Sequence, residues 1–296
     1  MSRAGQGAAQ TEETTRDEAR VASARAEEPR DEARVGAAWA EDPCDEARIA
    51  QTVAHYREHG YAQLGRIAPE QTLLAMRERA DEIMLGKRTY PGLFFQLDHP
   101  QGSYEDLVFG RGYEGPSLAY RKIEKLEKDP LFLAWVQNPI FQRICAQVIG
   151  EQITLYRAVL MTKGSQGGTV LPWHQDGGLF WGVDRAPVLQ VWTALDDAAS
   201  DAGCVEVVPG SHLEGLATPL GGVVPPNHVA RGDAERRAVA LPVRAGEVLL
   251  LHNHVWHRSL TNRTGRTRRA FSICYMDAST RCTRKKRAPH EFFRVF

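Results

Sequence analysis

The chain has 296 residues and no formal net charge, because 37 lysines and arginines balance 37 aspartates and glutamates. Nothing in this balance indicates nucleic acid or a membrane surface as a partner. The five cysteines lack CxxC pairing, no apolar signal region opens the chain, and no run reaches the roughly 18 apolar residues of a membrane span. We therefore expect a soluble cytoplasmic protein, with its oligomeric state left open.

The first part of the chain differs in composition from the rest. The tetrapeptide Asp-Glu-Ala-Arg recurs three times at a spacing of fourteen residues, which equals two coiled-coil heptads. Pro29 and Pro43 interrupt the repeated units, however, and the segment contains no Ile, Leu or Phe. We therefore predict that residues 1–44 are a disordered, duplicated extension, with an ordered partner helix as the alternative, and that residues 45–296 form the folded domain.

Helices open the folded part. Ile49, Val53 and Tyr56 recur at helical spacing before Gly60, which predicts a helix that ends at a glycine cap. A short strand and a second helix starting at Pro69 follow. Residues 87–120 are rich in glycine, proline and aromatics without periodicity, and we expect loops that border a pocket. The pairs Asp129-Pro130 and Asn138-Pro139 each look like an N-cap followed by a first-turn proline, which predicts two more helices.

After Gly150 the hydrophobic period changes to two. Short segments rich in β-branched and aromatic residues, separated by turn residues, predict six strands. These are residues 153–163, 188–197, 204–208, 238–243, 247–252 and 268–277. Helices followed by a run of strands predict a mainly β fold with flanking helices, in which a jelly roll leaves an open mouth for a metal.

A histidine and an aspartate mark the candidate site. His174 and Asp176 are two residues apart, so on an extended strand both side chains point to the same face. With a second imidazole from a distant strand they would form the two-histidine, one-carboxylate face of non-haem Fe(II) oxygenases. Taken alone, the same triplet also fits a histidine and an aspartate at an ordinary strand end.

The second imidazole has three candidates: His252, His254 and His257. We favour His257, because it lies where a strand meets a turn and is followed eleven residues later by Arg268. On the strand that Arg268 begins, one face carries small residues, which leaves room for a ligand whose carboxylate the arginine can bind. Arg266 and Arg269 are the alternatives, and both are expected to face solvent.

Several motifs occur in a specific order along the chain. They are residues 171–176 (LPWHQD), 191–196 (VWTALD), 203–212 (GCVEVVPGSH), 245–252 (AGEVLLLH), 257–259 (HRS) with Asn262, and 268–270 (RRA). Over roughly residues 46–280 this order resembles the phytanoyl-CoA dioxygenase family. The resemblance implies a double-stranded β-helix of the cupin type.

The resemblance also implies a set of site residues. Fe(II) would be bound by His174, Asp176 and His257, with 2-oxoglutarate chelating the metal and O2 as the second co-substrate. The distal carboxylate of 2-oxoglutarate would pair with Arg268 and accept a hydrogen bond from Ser259. By matching position, three further residues would line the co-substrate pocket: Gln175, Trp192 and Lys122. A core aromatic at Trp192 and a solvated lysine at Lys122 are the structural alternatives.

The implied function is that of an Fe(II)- and 2-oxoglutarate-dependent dioxygenase. It would hydroxylate or otherwise oxidise an unactivated C–H of a small organic molecule and release succinate and CO2. Related halogenases replace the carboxylate ligand with a small residue, so the presence of Asp176 favours hydroxylation. The alternatives are a jelly-roll metal enzyme that does not use 2-oxoglutarate, such as an isomerase, and a non-catalytic ligand-binding homologue. For the substrate, which stays open, four aromatics suggest an apolar wall: Phe94, Phe95, Phe180 and Trp181.

Overall fold

The computed structural model describes residues 45–99, 104–108, 112–285 and 291–296. The predicted disordered extension over residues 1–44 lies outside these ranges. Within them, none of the helices combines the length and the hydropathy needed to cross a bilayer.

The described part of the chain contains six α-helices. They are α1 (Glu46–His59), α2 (Glu70–Met84), α3 (Pro130–Val136), α4 (Pro139–Val148), α5 (Pro226–Arg231) and α6 (Ala234–Arg237). Their ends follow the predicted signals. Gly60 closes α1 with a φ of 80°, a left-handed conformation that glycine adopts without steric cost. Asp129 and Asn138 cap α3 and α4, each followed by a proline in the first turn.

Thirteen strands form two sheets within the described ranges, and every pair is antiparallel. The strands of the larger sheet are β1 (Tyr61–Arg66), β2 (Phe94–Leu97), β3 (Tyr120–Glu124), β4 (Ile153–Lys163), β6 (Leu189–Ala194), β10 (Glu247–His252), β12 (Arg268–Asp277) and β13 (Phe293–Arg294). Those of the smaller sheet are β5 (Leu171–Gln175), β7 (Val205–Val208), β8 (Gly222–Val223), β9 (Val239–Leu241) and β11 (Trp256–Ser259). The larger sheet has the order β1-β10-β6-β12-β4-β3-β2, with β13 beside β4, and the smaller has the order β8-β5-β11-β7-β9.

The two sheets pack face to face. One buried cluster joins Trp192 and Ala270 of the larger sheet to Val207 and Leu241 of the smaller one. Helices cover the outer face of the larger sheet, where the Phe132 ring of α3 packs against Phe271 at 4.9 Å between centroids. The predicted mainly β jelly roll with flanking helices is therefore confirmed.

The strand predictions were incomplete in two regions. Residues 87–120 were predicted to be loops, but β2 lies there and pairs with β3 at the edge of the larger sheet. The short strands β5, β8, β11 and β13 were also absent from the six predicted ones. These strands have two to five residues, too few for an alternating pattern to be recognised, and pairing with longer neighbours holds them in place.

The two capping residues make a matched pair for a stability test. Both cap a helix, but buried Asp129 also accepts hydrogen bonds from Arg79 and Tyr90, each at 2.7 Å. Asn138→Ala removes only a cap and should lower the free energy of unfolding by about 1 kcal/mol. Asp129→Ala also leaves buried Arg79 without this carboxylate, with the half-exposed Glu82 at 3.3 Å as an acidic partner, and should cost roughly 3 kcal/mol in urea unfolding. Equal losses in the two variants would mean that the Arg79 pair contributes nothing.

Candidate metal centre and its cavity

Strand pairing in the smaller sheet brings the two predicted histidines together. His174 on β5 is the cross-strand partner of His257 on β11, and their ring centroids are 3.9 Å apart. Asp176 follows β5 directly, and its backbone N–H donates to the Asn253 carbonyl at 2.8 Å. One ligand atom from each of the three residues lies within 4.8 Å of the others. This geometry can hold a metal ion.

Local hydrogen bonds set the tautomer of both imidazoles. His174 Nδ1 lies 2.9 Å from the Pro172 carbonyl, and His257 Nδ1 lies 2.9 Å from the Val255 carbonyl. Because a carbonyl only accepts, Nδ1 carries the proton in each ring and Nε2 keeps its lone pair for a metal. Burial lowers the pKa of His174 to about 3, and the neighbouring His257 acts in the same direction. The ring is therefore neutral, as a metal ligand must be.

The Asp176 carboxylate is held by donors from the larger sheet. Its Oδ2 accepts from Arg157 Nη2 at 2.9 Å and from Gln190 Nε2 at 2.8 Å. Burial alone would disfavour ionisation, but Arg157, the two histidines and the Gln190 hydrogen bond hold the pKa of Asp176 well below its usual range. These contacts all fall on Oδ2, which also lies 3.7 Å from His257 Nε2, so the carboxylate is held beside the metal-binding nitrogen of that ring.

Arg157, the charged donor to this carboxylate, lies directly beside a β-bulge and an aromatic ring. The β12–β4 register shifts between Cys274 and Tyr275, which leaves Tyr156 as the extra residue on β4. Tyr156 stacks on Trp181 at 4.2 Å between centroids, and the Arg157 guanidinium lies 4.6 Å from the centroid of the same ring. The arginine is therefore fixed by an ion pair on one side and an aromatic face on the other.

The triad opens into a cavity of about 210 Å³ between the two sheets. All eight predicted site residues line it: Lys122, His174, Gln175, Asp176, Trp192, His257, Ser259 and Arg268. Phe180 and Trp181 of the predicted apolar wall line it as well. Phe94 and Phe95 do not, because they lie on β2, where the Phe95 ring packs against Tyr113 and Tyr120.

Arg268 supplies a buried positive charge on one side of the cavity. Its side chain donates from Nη2 to the Gly203 carbonyl at 3.2 Å and to Ser259 Oγ at 3.4 Å, both neutral acceptors. The guanidinium lies 5.7 Å from the Trp192 centroid, and its buried Nε has no hydrogen-bond partner among the described residues. Burial lowers the pKa of Arg268 to about 10, so the group stays charged at neutral pH. A buried cation without an acidic partner fits an anionic ligand.

Lys163 adds a second cation beside Arg268. The two residues are direct cross-strand partners on β4 and β12. Lys163 Nζ donates to the Thr169 carbonyl at 2.6 Å and to the Ser259 carbonyl at 3.4 Å. Burial lowers the pKa of Lys163 to about 7, and the Arg268 charge lowers it further. Like charges directly opposite each other destabilise a sheet, so this pair also favours a bound anion.

Gln175 and Lys122 line the cavity but have partners of their own. The Gln175 amide donates to the carbonyls of Gly215 and His254 and accepts from the Ala217 N–H, so it anchors a loop. Lys122 lies on β3, a strand that the sequence analysis did not predict, and it forms an ion pair with Glu124 of the same strand.

The alternatives to His257 and Arg268 lie elsewhere. The His252 ring packs between His212 and His254, with centroids 4.8 and 5.4 Å away, and no member of this group belongs to the triad. Arg266 is exposed. Arg269 was expected to face solvent, but it is only partly exposed and bonds Asp196 and Asp81 outside the cavity.

The sequence analysis did not single out several polar residues of the cavity wall. Among them are Arg121, Arg157, Lys163 and Gln190. A signal was present for Arg157 and Gln190, since each interrupts an otherwise largely apolar strand (ITLYRAVLMTK and LQVWTA). A polar side chain in a buried strand needs a hydrogen-bond partner, and both of these side chains donate to Asp176.

Comparisons with known proteins agree with the motifs. A family model described as phytanoyl-CoA dioxygenase (PhyH) matches residues 56–270. Phytanoyl-CoA dioxygenase domain-containing protein 1 of Danio rerio is 27% identical over 263 residues, which cover 77% of this chain and 90% of the relative. The epimerase SnoN in complex with Fe3+, alpha ketoglutarate and nogalamycin RO has a TM-score of 0.62 at 19% identity, covering 82% of this chain and 89% of that one. EctD from S. alaskensis with 2-oxoglutarate and 5-hydroxyectoine has a TM-score of 0.61 at 20% identity, covering 83% and 82%. The two structures support the fold.

The donors to Asp176 give a prediction for metal affinity. Gln190→Leu keeps the size of the side chain but removes a hydrogen bond that orients the carboxylate, so Mn(II) affinity should fall roughly tenfold to a hundredfold. Calorimetric titration of chelator-treated protein with Mn(II) measures this change. Ser272→Ala, which removes a cavity hydroxyl elsewhere on the wall, serves as the control. An unchanged affinity in Gln190→Leu would show that Asp176 needs no orientation from β6.

Proposed function

The chain belongs to the phytanoyl-CoA dioxygenase family, and on this premise we propose that it is an Fe(II)- and 2-oxoglutarate-dependent dioxygenase that oxidises an unactivated C–H of a small organic molecule. One observation carries the proposal. A triad of two imidazoles and one carboxylate shares a cavity with a buried arginine that has no acidic partner within the described ranges. Two nitrogens and one oxygen form a donor set that Fe(II) accepts while leaving positions open.

We assign the following roles to the protein's residues. Bound Fe(II) and 2-oxoglutarate together supply the oxidising chemistry, which consumes O2 and releases succinate and CO2. His174, Asp176 and His257 hold the metal, and Arg157 and Gln190 orient the carboxylate.

At the other side of the cavity, Arg268 receives the distal carboxylate of 2-oxoglutarate and Ser259 donates to it. Lys163 adds positive charge there, and Trp192 shields the pair from water.

Two alternatives receive less support. A metal isomerase that does not use 2-oxoglutarate has no need of the buried Arg268 and Lys163 pair. A ligand-binding homologue without turnover has no need of two imidazoles whose Nε2 atoms are freed for a metal. The fold alone does not determine the reaction, since the structurally similar SnoN is an epimerase. We favour hydroxylation over halogenation, because Asp176 provides the carboxylate ligand that related halogenases replace with a small residue.

The free cysteines of the described residues lead us to infer a reducing, cytoplasmic location.

The proposal is tested by anaerobic titration of the Fe(II)-loaded full chain with 2-oxoglutarate. Chelation of the metal should produce a weak visible charge-transfer band. The band should be lost in His257→Ala, and Arg268→Gln should need roughly tenfold to a hundredfold more 2-oxoglutarate. Circular dichroism of each variant controls for folding. Bound iron that gives no band would remove 2-oxoglutarate from the assignment and favour the isomerase alternative.

Lys163 predicts a pH dependence of co-substrate binding. Its pKa, lowered to about 7 by burial and by Arg268, should rise when a dianion binds, so binding takes up a proton. The affinity for 2-oxoglutarate should therefore fall as pH rises above about 7. In Lys163→Met the affinity should be lower at neutral pH and should change little with pH. Band titrations at several pH values measure both effects, and parallel pH profiles for the two proteins would contradict the assignment.

A further inference from the structure

The cavity holds more positive charge than its own acidic residues neutralise. Six basic side chains line it: Arg121, Lys122, Arg157, Lys163, Arg258 and Arg268. Three of them have carboxylate partners within the chain, which are Glu124 for Lys122, Asp176 for Arg157, and Glu206 with Glu235 for Arg258. The other three donate only to neutral groups among the described residues.

Arg121 is turned into the cavity by a bulge. The β2–β3 register shifts so that Gln96 pairs with Lys122 and Leu97 pairs with Tyr120, which leaves Arg121 as the extra residue. Its Nη1 donates to Gln96 Oε1, a neutral amide, at 2.7 Å. No ion pair joins it to an acidic residue in the described part of the chain.

Asp98 is an acidic residue whose charge acts on Arg121, but it forms no ion pair with the arginine. Asp98 Oδ1 accepts from the N–H groups of His99 and Thr169, both at 3.1 Å, and from the Thr169 hydroxyl. It acts on Arg121 only through space, where it partly offsets the effect of burial, which lowers the pKa of the arginine. The guanidinium therefore keeps donors for a ligand.

Tyr104 connects Arg121 with the metal centre. Burial raises the pKa of the Tyr104 hydroxyl, and the charges of Arg121, Asp176 and Arg157 all act on the same group. Tyr104, Arg121 and the triad all line the same cavity.

One co-substrate does not use all three unneutralised cations. Arg268 and Lys163 both donate to Ser259, one to its hydroxyl and one to its carbonyl, so they face a single carboxylate together. Arg121 donates instead to Gln96 of β2, although its charge also acts on Lys163 and Arg268. After one dicarboxylate has bound with its distal end at Arg268, the charge of Arg121 is still unmatched.

We propose that the oxidised substrate is itself an anion, carrying a carboxylate or a phosphate that Arg121 binds next to Tyr104. This inference rests on the proposed function, because it takes Arg268 as the site of 2-oxoglutarate and assigns the remaining cation, Arg121, to the substrate. The remaining wall on the metal side includes Phe180, Trp181 and Val223, so the body of the substrate is apolar.

The test measures ligand binding to the anaerobic full chain loaded with Fe(II) and 2-oxoglutarate. The probes share one alkyl chain and differ in the head group: hexanoate, hexyl phosphate, 1-hexanol and hexylamine. Calorimetry should give at least one anion an affinity roughly tenfold to a hundredfold above that of 1-hexanol, with hexylamine weakest. The ratio of hexanoate to hexyl phosphate distinguishes the two anionic head groups.

Matched variants assign this preference to Arg121. Arg121→Gln should abolish the advantage of the anions, and Arg121→Lys should restore part of it. Arg258→Gln, which removes an arginine already neutralised by two glutamates, should leave the anion preference intact. Equal affinities for the anions and 1-hexanol in the parent protein would overturn the proposal, as would an unchanged preference in Arg121→Gln.

The charge-transfer band keeps the two proposals separate. Formation of the band in Arg121→Gln at the parent concentration of 2-oxoglutarate is expected. A band that forms only at raised 2-oxoglutarate would assign Arg121 to the co-substrate and overturn the inference alone. A parent protein that forms no band would instead contradict the proposed function.

Discussion

The candidate site depends on the register between β5 and β11. Because His174 and His257 are cross-strand partners, their rings project from the same face of the smaller sheet. A slip of one residue would turn one ring to the opposite face. The register is fixed from both sides, since β11 lies between β5 and β7 and His257 also pairs with Val207. Ser259, two residues along β11, reaches Arg268 for the same reason.

Electrostatics then ties the two sheets together at the metal centre. The triad belongs to the smaller sheet, but the donors that hold Asp176 come from β4 and β6 of the larger one. Burying Arg157 and Asp176 separately would each carry a large desolvation cost, which their mutual contact offsets. The Trp181 face covers the guanidinium, and only 17% of the Arg157 side chain and 13% of the Asp176 side chain are exposed. The carboxylate is thereby kept ionised and oriented before any metal binds.

Sequence patterns predicted the parts of this arrangement that follow regular periods. Long strands such as β4, β10 and β12 were found at the residues where they occur, and the motif order selected the three triad residues and Arg268, all of which line one cavity. Arg157 and Arg121 were missed for a physical reason. Arg121 is the extra residue of a bulge, a shift that strict alternation does not predict, whereas Arg157 is a charged residue in a largely apolar strand whose partner, Asp176, follows a strand of the other sheet. The edge strand β2 was missed because pairing with β3, not its own pattern, determines it.

The mouth of the cavity is built differently from its floor. Backbone hydrogen bonds join Leu179 to Pro219 and Phe180 to Leu220, so main-chain atoms hold this rim together. The approach is close enough to require glycine: at Gly221, with a φ of 74°, a Cβ would lie 2.0 Å from the Gly177 carbonyl oxygen. The apolar side chains of the rim are consequently free to point outward, and Leu179 and Phe180 are 76% and 68% exposed. A substitution there can change the shape of the mouth without moving the strands that carry the triad, because the rim is held by its own main-chain hydrogen bonds.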